Sequence, residues 1–278
     1  MKLTYSRISA WKQCPKRYWF EYVEGLEPMV KPWALWFGGL VHRGLEHLFR
    51  DGSEGLLACL QTYVAENPHP KADEFALKTA YAMLYKFWLR NPLDQLGHMV
   101  VSREFHFDLP LGDTTFEAVI DLVTQDRNGN IWLWEHKTCS HFPDPEWLRI
   151  EDQSAYYLWA YKQHTGQDPI GVVYNMLRKP SIKPRNGESD GDWLERLGRD
   201  MDKRPEFYFR LDLIHKDPRQ IEEIGMELEE LAQVVGRPPF YRNPNACKHW
   251  GCVYREVCIL DAPVTRASYK RKEVLDVV

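Results

Sequence analysis

Three charged side chains in the stretch FEAVIDLVTQDRNGNIWLWEHK have the types that phosphoryl chemistry needs. Asp121 and Glu135 offer hard carboxylate oxygens, and Lys137 adds an ammonium on the same side of a strand as Glu135. Two carboxylates brought together repel unless a cation sits between them, and hard oxygens suit Mg²⁺ or Mn²⁺. Such an ion polarises a phosphate and acidifies a bound water, and a nearby ammonium neutralises charge building on the phosphoryl oxygens. Whether the three side chains meet depends on a turn. Asn128-Gly129 signals a β-hairpin with two competing loops. A two-residue loop would set Leu122 across from Glu135. A three-residue loop, Arg127 to Gly129 with glycine left-handed, would set Asp121 across from Glu135, Leu122 across from Trp134 and Val123 across from Leu133. The plainer alternative to a metal site is a strand-end salt bridge between Lys137 and one carboxylate.

A second group of residues suits a softer metal. Cys14 lies in CPKRYW, and Cys247, Cys252 and Cys258 lie in CKHWGCVYREVC. Thiolates at such spacings are ligands for a metal or an iron–sulfur cluster, which would staple the two ends of the chain together. Cys59 and Cys139 read as small packed residues. The absence of a secretory signal sequence and of a long apolar run predicts a cytoplasmic protein without membrane spans. In that compartment cysteines favour metal binding over disulfides. Composition is ordinary for a globular chain of 278 residues, and the net charge of -4 does not mark a nucleic-acid binder. Basic residues cluster locally at Lys12, Lys16 and Arg17, at Arg178, Lys179, Lys183 and Arg185, and at Arg266, Lys270, Arg271 and Lys272.

The elements that must position these groups alternate between α and β. Periodicity predicts helices over 6–24, 38–50, 71–91, 146–165 and 218–236. Strands are predicted over 99–109, 115–125 and 130–138, and near 170–178 and 206–214, with both faces of the hairpin apolar and therefore covered. The polar stretch 183–205 predicts a mobile loop. His42 falls on the second helix, and Glu46 and Glu104 could assist a metal. Gln153 and Tyr157, four apart, share one helix face.

Taken in order, SRISAWKQCPKRYWFEYV, GGLVHRGLEHLF, AVIDLV, WLWEHKT, QSAYYLWAY and the terminal cysteines resemble the PD-(D/E)XK nuclease superfamily. The resemblance is to its RecB-type branch, with the AddB nuclease domain and the iron–sulfur Cas-four exonucleases of CRISPR adaptation. It implies an α/β restriction-endonuclease-like core, a central mixed sheet flanked by helices, with N- and C-terminal segments joined by a metal cluster. One nuclease domain would span 1–278, with a clasp of 1–30 plus 238–262 and a core of 38–215 carrying a helical insertion at 50–95. By resemblance, His42, Asp121, Glu135 and the backbone carbonyl of His136 would hold Mg²⁺ or Mn²⁺, and Lys137 would be the catalytic lysine. Gln153 and Tyr157 would contact DNA or support the site, and Cys14, Cys247, Cys252 and Cys258 would ligate a 4Fe-4S cluster. The four residues between Cys247 and Cys252 exceed the family's usual two and leave His249 nearby, so a structural Cys₃His zinc site is the alternative.

The implied activity is a metal-dependent exonuclease acting on single-stranded or end-containing DNA in recombination or repair. A CRISPR-adaptation trimming subunit and an inactive DNA-binding module of the same fold are the competing readings. The chain has no P-loop, so it would act alone or lend its nuclease to a separate helicase, recombinase or CRISPR-adaptation protein. Aromatic residues Trp11, Tyr18, Trp19 and Trp250 would stack on bases or pack the clasp.

Overall fold

The computed structural model describes residues 2–249 and 251–272, with the backbone alone for His249. The roles weighed for Trp250 and for the His249 side chain lie outside the described residues. The chain opens with strand β1 (Lys2–Leu3) and helix α1 (Tyr5–Gln13), which Thr4 caps by accepting the Arg7 N–H at 3.3 Å. The predicted 6–24 helix is interrupted at Cys14, whose φ of -165° is extended, because the residue before a proline is pushed out of the helical region. Pro15 restarts the chain as α2 (Pro15–Tyr18), followed by a π-helical turn at Trp19–Val23 and strand β2 (Leu26–Pro28).

Helix α3 (Trp33–Asp51) is longer than predicted because Trp36, Phe37 and Leu40 extend the buried stripe of Val41, Leu45 and Leu48. Helices α4 (Leu56–Glu66), α5 (Glu74–Leu89) and α6 (Pro92–Leu96) follow. Strands β3 (Met99–Leu111), β4 (Thr114–Gln125) and β5 (Ile131–Cys139) form the meander.

The predicted 146–165 helix breaks into α7 (Pro145–Ile150) and α8 (Asp152–Thr165). The break falls at Glu151, whose extended backbone ends one helix while its carboxylate caps the next, accepting from Gln153 N and Ser154 N. Strand β6 (Gly171–Arg178) comes next. Helix α9 (Asp190–Lys203) then occupies most of the stretch predicted as a mobile loop. Ser189 caps it, and Trp193, Leu197 and Met201 bury one stripe, which outweighs the polar composition. Then come α10 (Pro205–Tyr208), β7 (Phe209–Ile214), α11 (Pro218–Val234), α12 (Pro244–His249), α13 (Arg255–Ile259), α14 (Pro263–Arg266) and β8 (Tyr269–Arg271).

The chain divides into two compact units. One comprises 1–30, 106–118 and 218–278. Here β1 runs parallel to the start of β4, β2 pairs with β8, and Phe20, Leu26, Tyr254 and Val257 form a small core. The other comprises 31–105 and 119–217, and it holds the main core. In it β4 and β5 are antiparallel, β5 and β6 parallel, and β6 and β7 antiparallel, giving a central mixed sheet. Helices α3 and α8 both pack on β5, so the sheet is flanked by helices, and Leu122, Val123, Leu133 and Trp134 are all buried. This is the predicted α/β architecture.

Candidate active site

The hairpin adopts the three-residue loop. Leu122 pairs with Trp134 and Val123 with Leu133, and Gly129 takes a φ of 86° that glycine tolerates without cost. The Asp126 carboxylate holds the loop by accepting the N–H groups of Asn128 and Asn130 at 2.8 and 3.0 Å. Those bonds, led by the Asn130 side chain, pull the Asp126 carboxyl down to about 2.

Towards the far end of the pair, Asp121 Oδ2 accepts the His136 backbone N–H at 2.7 Å. Lys137 Nζ lies 2.8 Å from Glu135 Oε1, so the predicted strand-end salt bridge is present, but it is part of a larger network. Gln153 from α8 joins both residues. Its carbonyl oxygen accepts from Lys137 at 2.8 Å, and its amide nitrogen donates to Glu135 at 2.9 Å. The same nitrogen reaches the Tyr157 hydroxyl at 3.4 Å, as their four-residue spacing on the helix predicts. From α3, His42 Nδ1 stands 3.7 Å from Asp121 Oδ1. The structure thus brings together His42, Asp121, Glu135, His136, Lys137, Gln153 and Tyr157.

The electrostatics of this cluster reflect burial. Desolvation and the Glu135 charge push the Asp121 carboxyl well above its usual range, against the His136 N–H and Lys137. Burial pulls His42 down, partly opposed by Glu135, which favours the neutral imidazole that binds metals. Burial also acts to lower Lys137, but the Glu135 carboxylate more than offsets it and the ammonium is raised. The His136 ring is buried and held well below its usual value. It stacks on Phe49 at 5.5 Å, and its Nδ1 lies 3.1 Å from the Asn175 amide nitrogen.

Sequence reasoning did not single out Asn175. It lies directly across from His136 on β6, is 1% exposed, and its carbonyl oxygen has no partner among the described residues. A polar residue in the otherwise apolar strand GVVYNML was the available signal. Glu104 sits in β3 with a φ of 41°, unusual for a side-chain-bearing residue. Burial and the charges of Asp121 and Glu46 lift its carboxyl to about 7. It lines a 310 Å³ cavity with His42, Glu46, Tyr63 and Asn67. Glu46 itself is engaged by Arg43 and Arg50 at 3.0 and 3.3 Å.

Among the described residues no three His, Cys, Asp or Glu side chains stand close enough to hold a metal ion as they are. The donor set at the sheet end still fits a hard divalent cation chemically. It has two carboxylates, one driven towards protonation by burial and by its neighbour's charge, and a histidine that burial favours as neutral.

Cys14, Cys247, Cys252 and Cys258 lie in the other unit. Cys14 is buried, and its Sγ accepts the Asn243 N–H at 3.3 Å. Burial raises the Cys252 thiol, as do the nearby Cys247 and Cys14. Cys252 and Cys258 both pack against the small core of Phe20, Leu26, Tyr254 and Val257. All four are unpaired thiols, as are the half-buried Cys59 and Cys139. An N–H···S bond to a buried sulfur is a contact that a thiolate-ligated metal would also use.

The family model of the PD-(D/E)XK nuclease superfamily matches residues 2–259. The chain belongs to the PD-(D/E)XK nuclease superfamily. No curated protein matches the chain. Among solved structures it is similar to SSO0001, at 13% identity and a TM-score of 0.34, covering 82% of this chain and 84% of that one. It is also similar to LHK-Exo, solved in complex with dAMP, at 12% identity and a TM-score of 0.29, covering 81% and 98%. No helix among the described residues is long and apolar enough to cross a membrane.

Proposed function

We propose that this superfamily member is a metal-dependent deoxyribonuclease that hydrolyses phosphodiester bonds at the end of β4 and β5. The observation that carries the reading is the hydrogen-bonded network joining Glu135, Lys137 and Gln153 beside Asp121 and His42. His42, Asp121, Glu135 and the His136 carbonyl would hold Mg²⁺ or Mn²⁺. When bound, that ion supplies Lewis acidity and an acidified water. The chain's own residues do the rest. The His136 N–H orients the Asp121 carboxylate, and Gln153 fixes the Glu135 carboxylate and the Lys137 ammonium relative to each other. Lys137, raised and therefore charged, stabilises negative charge on the phosphoryl oxygens.

The preferred substrate is single-stranded or free-ended DNA, cut as an exonuclease of the RecB-type branch. In the other unit Cys14, Cys247, Cys252 and Cys258 would hold a structural 4Fe-4S cluster, with zinc as the alternative. A cytoplasmic role beside a helicase, recombinase or CRISPR-adaptation protein in recombination or repair fits such an enzyme. Linear and circular single-stranded DNA, each with Mg²⁺ or Mn²⁺, provide the test. The expected result is Lys137-dependent degradation of the linear substrate with the circle left intact. Absence of cleavage by wild type, or unchanged cleavage by Lys137→Ala, overturns the reading. Brown protein containing iron and sulfide identifies the cluster, and colourless protein containing zinc identifies the alternative.

A further inference from the structure

In the unit that holds the candidate active site, several cations are neutralised by the chain itself. Lys78 pairs with Asp190 and Glu74, Lys86 with Asp202, Arg196 with Glu188, and Arg204 with Asp200. Two consecutive residues at the end of β6 differ. Among the described residues, neither Arg178 nor Lys179 has a carboxylate within ion-pairing distance, and both rest on aromatic rings. The Arg178 guanidinium lies 3.8 Å from the centre of the Phe207 ring. The Lys179 ammonium lies 4.3 Å from Phe37 and 4.7 Å from Trp33. Aromatic faces hold a cation in place without neutralising it, so its charge remains available to a second partner.

Their position ties them to the chemistry. Arg178 pairs in register with Cys139, and the Lys179 N–H bonds the Cys139 carbonyl at 2.9 Å. Cys139 is two residues beyond Lys137 on β5, about 6.6 Å along the strand. That distance is comparable to one phosphate step along an extended polynucleotide. Successive residues of a strand point to opposite faces, so Arg178 leaves β6 on the face of Lys137 and Lys179 on the face of α3. Together they make a two-pronged cationic end on the strand next to the proposed catalytic lysine. Burial pulls the Lys179 ammonium down, an effect that the more distant Asp73 only partly opposes and that an arriving anion would relieve.

We propose that Arg178 and Lys179 form a phosphate-gripping fork for a single DNA strand, holding the phosphates next to the one at Lys137. The inference rests on the nuclease reading for its choice of ligand. The occupant is set by charge: two aromatic-backed cations without carboxylate partners fit a polyanion, and in this superfamily the substrate is one.

Binding of a fluorescent oligothymidylate, measured by anisotropy across a salt series with Ca²⁺ in place of the activating ion, tests the fork without requiring cleavage. Methionine keeps an unbranched stem over the rings and removes the charge, so Arg178→Met and Lys179→Met are the informative variants. Each is expected to weaken binding about tenfold and to flatten the salt dependence by about 0.7 in logarithmic slope, the value of one phosphate contact on a single strand. Lys179→Arg, which keeps the charge, should bind like wild type. Unchanged affinity and slope in both methionine variants overturns the proposal. So does a loss in Lys179→Arg as large as in Lys179→Met, which would assign the effect to packing. Wild type that binds in this way but cleaves no DNA would overturn the nuclease reading and leave the fork standing. Wild type that does not bind overturns the fork.

Discussion

The sheet-end network and the cysteine group both gather polar ligands, but the chain satisfies them to different degrees. At the sheet end, Glu135, Lys137, Gln153 and the His136 N–H already bond one another or Asp121. Among the described residues, the hydrogen bonds of the four thiols are to backbone alone: the Asn243 N–H and the Tyr241 carbonyl at Cys14, and the Tyr254 backbone at Cys252. A site whose residues satisfy each other is preorganised and gains chiefly function from a ligand. A site whose residues mainly crowd one another gains stability from a ligand as well. The two regions should therefore respond in opposite ways to loss of a side chain: one in rate, the other in melting temperature.

The largest effect expected is on rate. Lys137→Ala should lower kcat on linear single-stranded DNA by about 10²–10³, the usual consequence of removing one charge-stabilising donor, while the melting temperature barely moves. A large loss of stability would break the comparison. Cys252→Ala should act the other way, abolishing bound iron or zinc and lowering the melting temperature by roughly 4–8 °C, about 2 kcal/mol for a chain of this size. Metal analysis with calorimetry checks both parts. Asn175→Leu is expected to cost about 1 kcal/mol in urea unfolding. It strips a buried partner from the His136 ring but also removes the orphaned carbonyl oxygen.

A pH-dependent effect concerns Glu104 in metal-stripped protein. Its carboxyl titrates at about 7 in the fold against an ordinary 4.5, so between those values the folded form binds more protons than the unfolded. That contribution is fully present below about 4.5 and lost as pH rises through about 7. Glu104→Gln should flatten this fall, and unfolding curves across that window that match wild type would show that Glu104 is not its source.

The hairpin of the candidate site was legible because its determinants are local. Gly129 in the left-handed region selects the loop, the loop sets the register, and the register brings Asp121 to the Glu135 end of the hairpin. Helix α9 was misread because its polar lead-in, SIKPRNGESDGD, outweighed the Trp193–Leu197–Met201 stripe, although Ser189 before an acidic turn was a usable start signal. The break at Glu151 was hidden because glutamate is ordinarily a good helix former. Here the Tyr174 hydroxyl and two N–H groups of α8 converge on its carboxylate, and Tyr174 comes from a distant strand. Asn175 escaped notice for a related reason: its partner, His136, is brought opposite it only by the pairing of β5 with β6.

The Gln153 amide has a handedness that gives this end of the molecule a polarity key. Its oxygen can only accept and its nitrogen can only donate, and here the oxygen meets the ammonium and the nitrogen meets the carboxylate. A glutamate in its place would match Lys137 and repel Glu135, and a lysine would do the reverse. Exchanging Glu135 and Lys137 would invert the order that the amide reads, unless its oxygen and nitrogen also traded places. An uncharged side chain thus records which neighbour is the anion and which the cation, a constraint on how this end of the sheet can be rewritten.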